Sequence, residues 1–300
     1  MRVSAASGMA TLWKALACES IDYTTGEENT MAWLKTRDGI RLYHTDRGTG
    51  KPLVLLHGWS FSGSVFDPVI PALTENARVI SVDLRGHGES DKPHHGYRVS
   101  RLAADLRELI TTLDLREATL LGWSVGGAVI WSYLELFGDE RIAKLVLAQQ
   151  TPRQFAARDW KWAHAQCFDP VNLAVTMTMM QADVSAFDRQ NIADCVHRAA
   201  TADERAAWIA QTSRCPIHAR VALMTDHGQH DWRDFIPTIS LPTLVLAACK
   251  DPVFPAEGVA WVGKHIPGAR TVYFENSSHM LFHDEPERFV ESVREFLGAP

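Results

Sequence analysis

Short apolar segments alternate with helical stretches along most of this 300-residue chain, beginning at Met31. This alternation is typical of a sheet covered by helices on both faces, because each strand and each helix must bury an apolar face against the next layer. The later segments are nearly all apolar, as strands buried on both faces are. The sequence therefore predicts an α/β fold with an eight-stranded, mostly parallel sheet. The expected strands are 32–36, 41–45, 53–56, 78–82, 119–122, 144–147, 243–247 and 271–274.

Local patterns add a hairpin and two helices to this framework. The first two strands flank Asp38-Gly39, a turn dipeptide that favours a hairpin. Two other segments repeat apolar residues every three to four positions, as amphipathic helices do, and the second follows a proline at the position where a helix begins. The repeating residues are Leu102, Leu106, Leu109, Ile110 and Leu113 in the first segment, and Phe289, Val290, Val293 and Phe296 in the second.

A break in the alternation divides the chain. After Thr151-Pro152 the strand signals stop, and they resume only near Pro237. The segment between is helical in character and rich in Met and Trp, which predicts a helical cap inserted into the sheet domain. The expected organisation is an N-terminal extension (1–30), a first core segment (31–151), the cap (152–236) and a second core segment (237–300).

Charge and cysteine content exclude several kinds of protein. The 36 acidic residues exceed the 30 Lys and Arg, so the net charge of −6 lacks the basic excess of a nucleic-acid binder. The five cysteines contain no Cys-x-x-Cys pair, which favours a reducing compartment. Apolar runs fall short of the roughly 20 residues that cross a bilayer. We therefore expect a cytoplasmic protein without membrane insertion that acts on a small molecule.

The sharpest motif is Gly122-Trp123-Ser124-Val125-Gly126, a G-x-S-x-G sequence between an apolar strand and the helical run 128–137. A nucleophilic hydroxyl must stand clear of the backbone on a tight turn, and small residues two positions before and after it let strand and helix approach closely. The motif therefore indicates that Ser124 is a nucleophile. An ordinary glycine-rich turn is the alternative, which the flanking strand and helix disfavour.

A serine nucleophile needs a general base, and 13 histidines compete for this role. His279 lies in a polar loop after the last predicted strand. Such loops lie at the carboxyl edge of the sheet, where Ser124 is also expected, so His279 is the preferred base. His283, four residues later, is the competitor, and its other interpretation is a surface residue at a helix start.

The base in turn needs a carboxylate, which we sought where strands end. The strand 144–147 is followed by Ala148-Gln149-Gln150-Thr151, without a carboxylate. The strand 243–247 is followed within a few residues by Asp251, which we assign as the orienting acid. A turn aspartate before proline is the alternative interpretation of Asp251.

Two backbone N–H groups must hold the oxyanion. The amide after the nucleophile belongs to Val125, and a second should come from the loop after the third predicted strand, where we assign Trp59. Gly58 permits close approach, and the indole of Trp59 is expected to wall the pocket. His57, at the strand end behind this loop, is expected to be a buried structural residue.

Together these motifs resemble the α/β-hydrolase superfamily over residues 32–297, and the chain order serine, aspartate, histidine matches that of the family. Within the superfamily the chain resembles the branch of esterases and cofactor-free haloperoxidases. The resemblance rests on His57-Gly58-Trp59, the turn from Asp83 to Ser90, the motif around Ser124, Asp251-Pro252, and His279 followed by Glu285-Pro286-Glu287.

The resemblance also implies which reaction to expect. In that branch the oxyanion loop often reads His-Gly-Trp-Pro, and the proline is associated with perhydrolysis. Ser60 stands at that position here, which favours plain ester hydrolysis. The branch uses no cofactor, and none is expected.

The cap is expected to shape the substrate pocket. Its aromatic and Met side chains can line an adaptable apolar pocket or pack the cap and its seam with the core. An apolar acyl or aryl substrate is favoured. Its expected contacts are Trp123 next to the nucleophile, and Trp162, Met179 and Trp208 of the cap.

The leading hypothesis is a serine hydrolase that cleaves a carboxylic ester, lactone or thioester through an acyl-enzyme. A cofactor-free lyase or dioxygenase on the same fold, and a small-molecule receptor with slow turnover, are the alternatives. His227, His230 and Asp231 are a further candidate cluster, for metal binding, but they lack a zinc-protease motif and a polar turn is preferred. We therefore expect no metal.

Overall fold

The computed structural model describes residues 22–26 and 29–298 and contains a nine-stranded sheet with the order β1-β2-β3-β5-β4-β6-β7-β8-β9. The three pairings that involve β1, β2 and β3 are antiparallel, and β4 through β9 form a parallel array. The strands are β1 Asp22–Gly26, β2 Asn29–Lys35, β3 Arg41–Arg47, β4 Pro52–Leu56, β5 Arg78–Val82, β6 Ala118–Trp123, β7 Ile142–Ala148, β8 Thr243–Ala248 and β9 Arg270–Phe274.

The mostly parallel α/β sheet is confirmed, with one strand more than the predicted eight. The additional strand, β1, lies in the segment predicted as an N-terminal extension and pairs antiparallel with β2. An edge strand is held by backbone hydrogen bonds to a single neighbour and needs no continuous apolar run, so the sequence pattern gave little signal for it. The rest of the predicted extension lies outside the described residues, apart from the start of β2.

The predicted hairpin forms between β2 and β3, with Gly39 in the left-handed region at φ +86°. The parallel strands alternate their buried side chains between two cores. In β4, Val54 and Leu56 face one core whereas Leu53 and Leu55 face the other. Because these strands are parallel, their carboxyl ends meet at one edge of the sheet, which is where polar site residues collect.

Helices cover both faces of the sheet. The two predicted amphipathic helices are confirmed as α2, which buries Leu102, Leu106 and Leu109, and α10, which begins at Pro286. The described helices are α1 Ile70–Leu73, α2 Val99–Thr112, α3 Val125–Phe137, α4 Pro170–Ala182, α5 Val184–Cys195, α6 Ala202–Ser213, α7 Ile217–Gly228, α8 Ala256–His265, α9 Leu281–Asp284 and α10 Pro286–Leu297, with short 3₁₀ helices at Gly63–Phe66 and Ile236–Thr238.

Four of these helices, α4 to α7, lie between β7 and β8, in the segment predicted as a cap. Before them, residues 152–169 form turns and two isolated bridges instead of a helix. A buried ion pair joins two of the helices, because Arg220 of α7 donates from Nη1 to Oδ1 of Asp188 in α5 at 2.7 Å. The limits of the cap as a separate domain stay a prediction.

Across residues 22–26 and 29–298, each helix is too short or too polar to cross a bilayer.

Candidate active site

Ser124 occupies the tight turn that joins β6 to α3. Its backbone is in the left-handed region, at φ +55° and ψ −126°, which is costly for a residue with a Cβ. Two backbone bonds hold this conformation: the Ser124 N–H donates to the carbonyl of Ala148 at 2.9 Å, and Gly127 N–H donates to the Ser124 carbonyl at 2.8 Å. The turn presents a strained, partly exposed serine at the carboxyl edge of the sheet, the geometry that a nucleophile requires.

The glycines of the motif are required by close backbone contacts. A Cβ on Gly122 would lie 2.5 Å from backbone atoms of Gly126 and Gly127, and a Cβ on Gly126 would lie 2.3 Å from the carbonyl oxygen of Leu56. Strand β6, helix α3 and strand β4 therefore meet where only hydrogen atoms fit. This contact fixes where Ser124 stands relative to the neighbouring strands.

His279 and Asp251 form a hydrogen-bonded pair, with 2.8 Å between Nδ1 of the imidazole and Oδ2 of the carboxylate. The Asp251 side chain is 0% exposed, and its other oxygen accepts the Val253 N–H at 2.7 Å. The bond at Nδ1 leaves Nε2 of His279 as the atom available for proton transfer. His279 lines the same cavity as Ser124, so the structure brings all three predicted triad residues together.

Gln149 is a site residue that the sequence analysis did not assign. It follows β7 with φ +50°, is fully buried, and donates from Nε2 to Oδ2 of Asp251 at 2.6 Å. Its Oε1 accepts the Ala248 N–H at 2.7 Å, so the amide is held at both ends. Gln149 thus fixes the carboxylate that orients His279. The available signal was a polar residue at the end of the strand beside β8.

His283, the competing base, lies in a different environment. Its Nδ1 is 2.9 Å from Nη2 of Arg198, and its ring packs edge-on against Trp208 at 4.8 Å between centroids. It is buried, not a surface residue as the other interpretation held, because the cap covers it. These partners place it in the seam between cap and core, away from the Asp251 carboxylate.

The predicted oxyanion loop lies beside the nucleophile. A Cβ on Gly58 would lie 2.9 Å from the Trp123 ring and 3.3 Å from the Ser124 Cβ, so the glycine permits this approach. Trp59 and Val125 both line the cavity with Ser124. Val125 is the first residue of α3, where an N–H has no intrahelical acceptor and can bind an anionic oxygen.

The indole of Trp59 does more than wall the pocket. Its Nε1 donates to the carbonyl of Arg220 in α7 at 2.9 Å, and its ring packs edge-on against Phe187 of α5 at 6.1 Å between centroids. The oxyanion loop is therefore bonded directly to the cap helices. Sequence spacing could not show this contact, since Trp59 and Arg220 are 161 positions apart.

Ser60 has φ +66°, a value that proline cannot adopt because its ring fixes φ near −65°. The His-Gly-Trp-Pro loop of the resembling branch cannot take this backbone conformation. Ser60 therefore marks a difference in loop geometry as well as in side chain.

His57 is buried and bonded at both ring nitrogens, with Nδ1 2.8 Å from the Gly58 carbonyl and Nε2 accepting the Leu84 N–H at 3.0 Å. Burial holds its pKa well below the ordinary value of histidine. A neutral ring with both nitrogens engaged in backbone bonds has a structural role, as the sequence analysis expected.

The cavity at Ser124 measures about 50 Å³. One side is made by the sheet edge and the oxyanion loop, and the other by the cap. Its apolar cap residues are Cys167, Met177, Phe187, Cys195 and Met224, and its polar cap residues are Gln154, His164, Gln166, Thr176, Asn191, Asp194 and His227. The cap wall therefore contains both apolar and polar side chains, whereas the composition of the cap predicted an apolar wall.

Of the four predicted substrate contacts, only Trp123 is placed at the cavity, and it also donates from Nε1 to the His279 carbonyl at 2.8 Å. Met179 is 66% exposed on the outer side of α4, since neighbouring Met177 and Met180 take the inner side. Trp162 packs on Trp160 and against Gly258 at the start of α8, and Trp208 packs on His283. Trp162 and Trp208 therefore pack within the cap and its seam, whereas Met179 faces outward, so the structure does not bring these three predicted contacts to the cavity.

The candidate metal cluster of the cap makes other contacts. Asp231 pairs with Arg153 and Arg233, and His230 bonds Asp226 at 3.1 Å. Within the described ranges, 22–26 and 29–298, no group of three or more His, Cys, Asp or Glu is arranged to hold a metal ion.

Comparison with known proteins agrees with this fold. A family model described as the alpha/beta hydrolase fold matches residues 51–286. The AB hydrolase superfamily protein YisY of Bacillus subtilis is 28% identical over 89% of this chain and 99% of its own. The non-heme chloroperoxidase CPO-A1 of Kitasatospora aureofaciens is 28% identical over 88% and 98%. A solved esterase from Exiguobacterium antarcticum superposes with a TM-score of 0.85 at 28% identity, over 89% and 99%.

Both kinds of relative expected from the motifs, an esterase and a haloperoxidase, are therefore similar to this chain over nearly their whole length.

Proposed function

Because the chain belongs to the α/β-hydrolase family, we propose that it is a serine hydrolase that cleaves carboxylic esters of small acyl groups through an acyl-enzyme. The observation that carries the proposal is the bonded pair of His279 and Asp251 on the cavity that holds Ser124 in its strained turn. Similarity to the esterase from Exiguobacterium antarcticum supports the ester bond as the target.

In the proposed mechanism, the substrate carbonyl lies in the cavity beside Ser124. Nε2 of His279 takes the hydroxyl proton as Oγ attacks the carbonyl carbon. Asp251 stabilises the imidazolium that forms, and the amides of Trp59 and Val125 bind the oxyanion. His279 then gives the proton to the leaving alcohol. Water next attacks the acyl-enzyme with His279 again acting as base, the bond between Ser124 Oγ and the acyl carbon breaks, and His279 returns the proton to Oγ as the acid leaves.

The cavity is small, at about 50 Å³, so we propose an ester of a short acyl group. The four described cysteines are all free, which supports the cytoplasm as the proposed compartment.

Labelling with a fluorophosphonate and steady-state hydrolysis of p-nitrophenyl butanoate test the proposal together. We expect one adduct by intact mass, located on Ser124, and loss of both the adduct and turnover in Ser124→Ala. Hydrolysis that survives in Ser124→Ala contradicts the assignment. An adduct without turnover identifies the receptor alternative, and the absence of an adduct favours the lyase or dioxygenase alternative.

A further inference from the structure

The cap side of the cavity contains a buried polar group of residues that the proposed triad does not use. His227, near the end of α7, is only 2% exposed, and within the described part of the chain neither of its ring nitrogens has a hydrogen-bond partner. Gln154 is equally buried, and its Oε1 is also without a partner among the described residues. Both side chains line the Ser124 cavity. Unpaired buried polar atoms are costly, so their presence at a cavity indicates a ligand group that completes them.

His164 links Gln154 to the proposed base. Its backbone N–H donates to the Gln154 carbonyl at 2.9 Å, and its ring packs edge-on against Phe254, which in turn packs on His279. His164 and His227 both line the cavity. We define the polar subsite as Gln154, His164 and His227.

Hydrogen-bond roles within the polar subsite follow from its contacts. Nδ1 of His164 accepts the N–H groups of Gln166 and Cys167, both at 3.1 Å, which leaves its proton on Nε2 as a donor. Burial lowers the pKa of His164 to about 4 and that of His227 to about 3, so both rings are neutral near pH 7. A neutral His227 offers one donor and one acceptor, and Gln154 Oε1 offers an acceptor. The subsite therefore presents donors and acceptors together, without net charge.

We infer that the polar subsite binds a hydroxyl group carried by the acyl chain of the substrate. A hydroxyl both donates and accepts, so it satisfies an imidazole N–H and an acceptor at once. A carboxylate only accepts and would face the Gln154 oxygen, and it would pay the full cost of burying its charge among neutral groups. This inference rests on the proposed function and specifies its substrate as a hydroxy ester.

The test compares matched methyl esters by titration of the acid released. The four-carbon set is methyl butanoate, methyl 3-hydroxybutanoate and monomethyl succinate, and a six-carbon pair is methyl hexanoate and methyl 6-hydroxyhexanoate. We expect kcat/KM for the hydroxylated ester to exceed that of its parent by about tenfold in at least one set, as one additional hydrogen bond provides. Monomethyl succinate should be the poorest of the four-carbon substrates.

His227→Leu should reduce the ratio of hydroxylated to parent ester by about tenfold, whereas His227→Gln, which keeps a donor and an acceptor, should retain most of it. His95→Leu makes the same change at an exposed loop position and should leave the ratio unchanged. Circular dichroism and thermal unfolding check that each variant folds. If His227→Leu does not fold, the wild-type ratios and the ratio measured for His227→Gln still decide whether the polar subsite binds a hydroxyl group.

Each outcome separates this inference from the proposed function. Ester hydrolysis with no preference for the hydroxyl at either chain length overturns the polar subsite and leaves the serine hydrolase intact. A preference for monomethyl succinate also overturns it, since the subsite would then bind a charge. If none of the esters is hydrolysed and Ser124 takes no fluorophosphonate, the proposed function fails first.

Discussion

The two walls of the cavity are built in different ways. The sheet wall holds its side chains by backbone geometry: a strained turn at Ser124, glycine contacts behind it, and a buried Asp251 bonded by Gln149 and Val253. The cap wall holds neutral polar side chains such as His227 with unfilled hydrogen-bonding capacity, between sulfur-containing and aromatic residues.

For the proposed function, this difference separates the residues that react from the residues that select the substrate. Groups that move protons must be oriented before the substrate arrives, so their hydrogen bonds are already made. Groups that recognise the substrate must keep donors or acceptors free for it, so their hydrogen bonds form only when the substrate binds. Changes in the sheet wall should therefore reduce turnover of every ester, whereas changes in the cap wall should alter which ester is preferred.

The largest expected effect distinguishes two histidines that are four positions apart. His279→Ala should lower kcat by at least about 10⁴-fold, because triad residues act as a unit. His283→Ala removes a contact in the cap seam and should lower kcat by less than tenfold. Turnover of p-nitrophenyl butanoate per folded molecule measures both effects. A larger loss in His283→Ala than in His279→Ala would show that His283, and not His279, is the base.

Acid should destabilise the fold, because buried neutral histidines lie both behind the sheet wall, where the rings of His57 and His87 are in contact, and in the cap wall. Burial lowers the pKa of His57, of His87 to about 4, of His164 to about 4 and of His227 to about 3. The unfolded chain binds these protons near pH 6.5 and the folded protein does not, so stability falls as the pH drops from 6.5 towards 4. Asp83 opposes this effect, since burial raises its pKa to about 7 and the folded state binds that proton first.

Near pH 6 the balance of these four histidines against Asp83 is a net of roughly two protons, or about 3 kcal/mol of unfolding free energy per pH unit. Urea unfolding at pH 6.5, 6.0 and 5.5 measures this slope. His164→Gln should reduce the slope by about one proton. A free energy of unfolding that is constant over this interval would show that these rings are protonated in the fold.

Gln149→Leu should lower kcat by about 10- to 100-fold while KM changes less than about threefold, because the variant keeps the side-chain size but releases Asp251. Gln150→Leu is the matched control, since Gln150 donates to the Thr151 carbonyl and not to the triad. Equal losses in the two variants would mean that Gln149 only supports the fold.

The smallest expected effect concerns Met179, one of the three cap residues that the sequence analysis placed in the pocket. Met179→Ala should change kcat/KM by less than about twofold at every acyl length, because this side chain points to solvent. Met177→Ala enlarges the cavity from the inner side of the same helix and should shift the preference towards longer acyl groups. A shift caused by Met179→Ala would mean that the cap rearranges when it binds substrate.

The sequence predicted where the residues of the sheet wall lie but not which cap residues reach the cavity, for physical reasons. Ser124 and Asp251 follow the buried strands β6 and β8, and His279 follows the edge strand β9. Parallel strands bring their carboxyl ends to one edge of the sheet whatever the details of packing. In the cap, Met177 and Met179 are two positions apart on one helix and therefore differ in direction by about 200°, and composition cannot tell which one faces inward. Gln149 follows β7 at the edge of the sheet where the site lies, but a glutamine in the sequence does not indicate a role at the site until its partner, Asp251, is known.

The hydrogen bond from the Trp59 indole to the Arg220 carbonyl has a consequence for protein engineering. Exchanging the cap for that of another hydrolase is a direct route to new selectivity, yet the replacement would remove the acceptor that anchors the loop carrying an oxyanion donor. Such a chimaera would have a new pocket, but the loop that carries Trp59 would no longer be anchored. A transplant that retains helix α7, or one that rebuilds an acceptor opposite the indole, would carry over both properties.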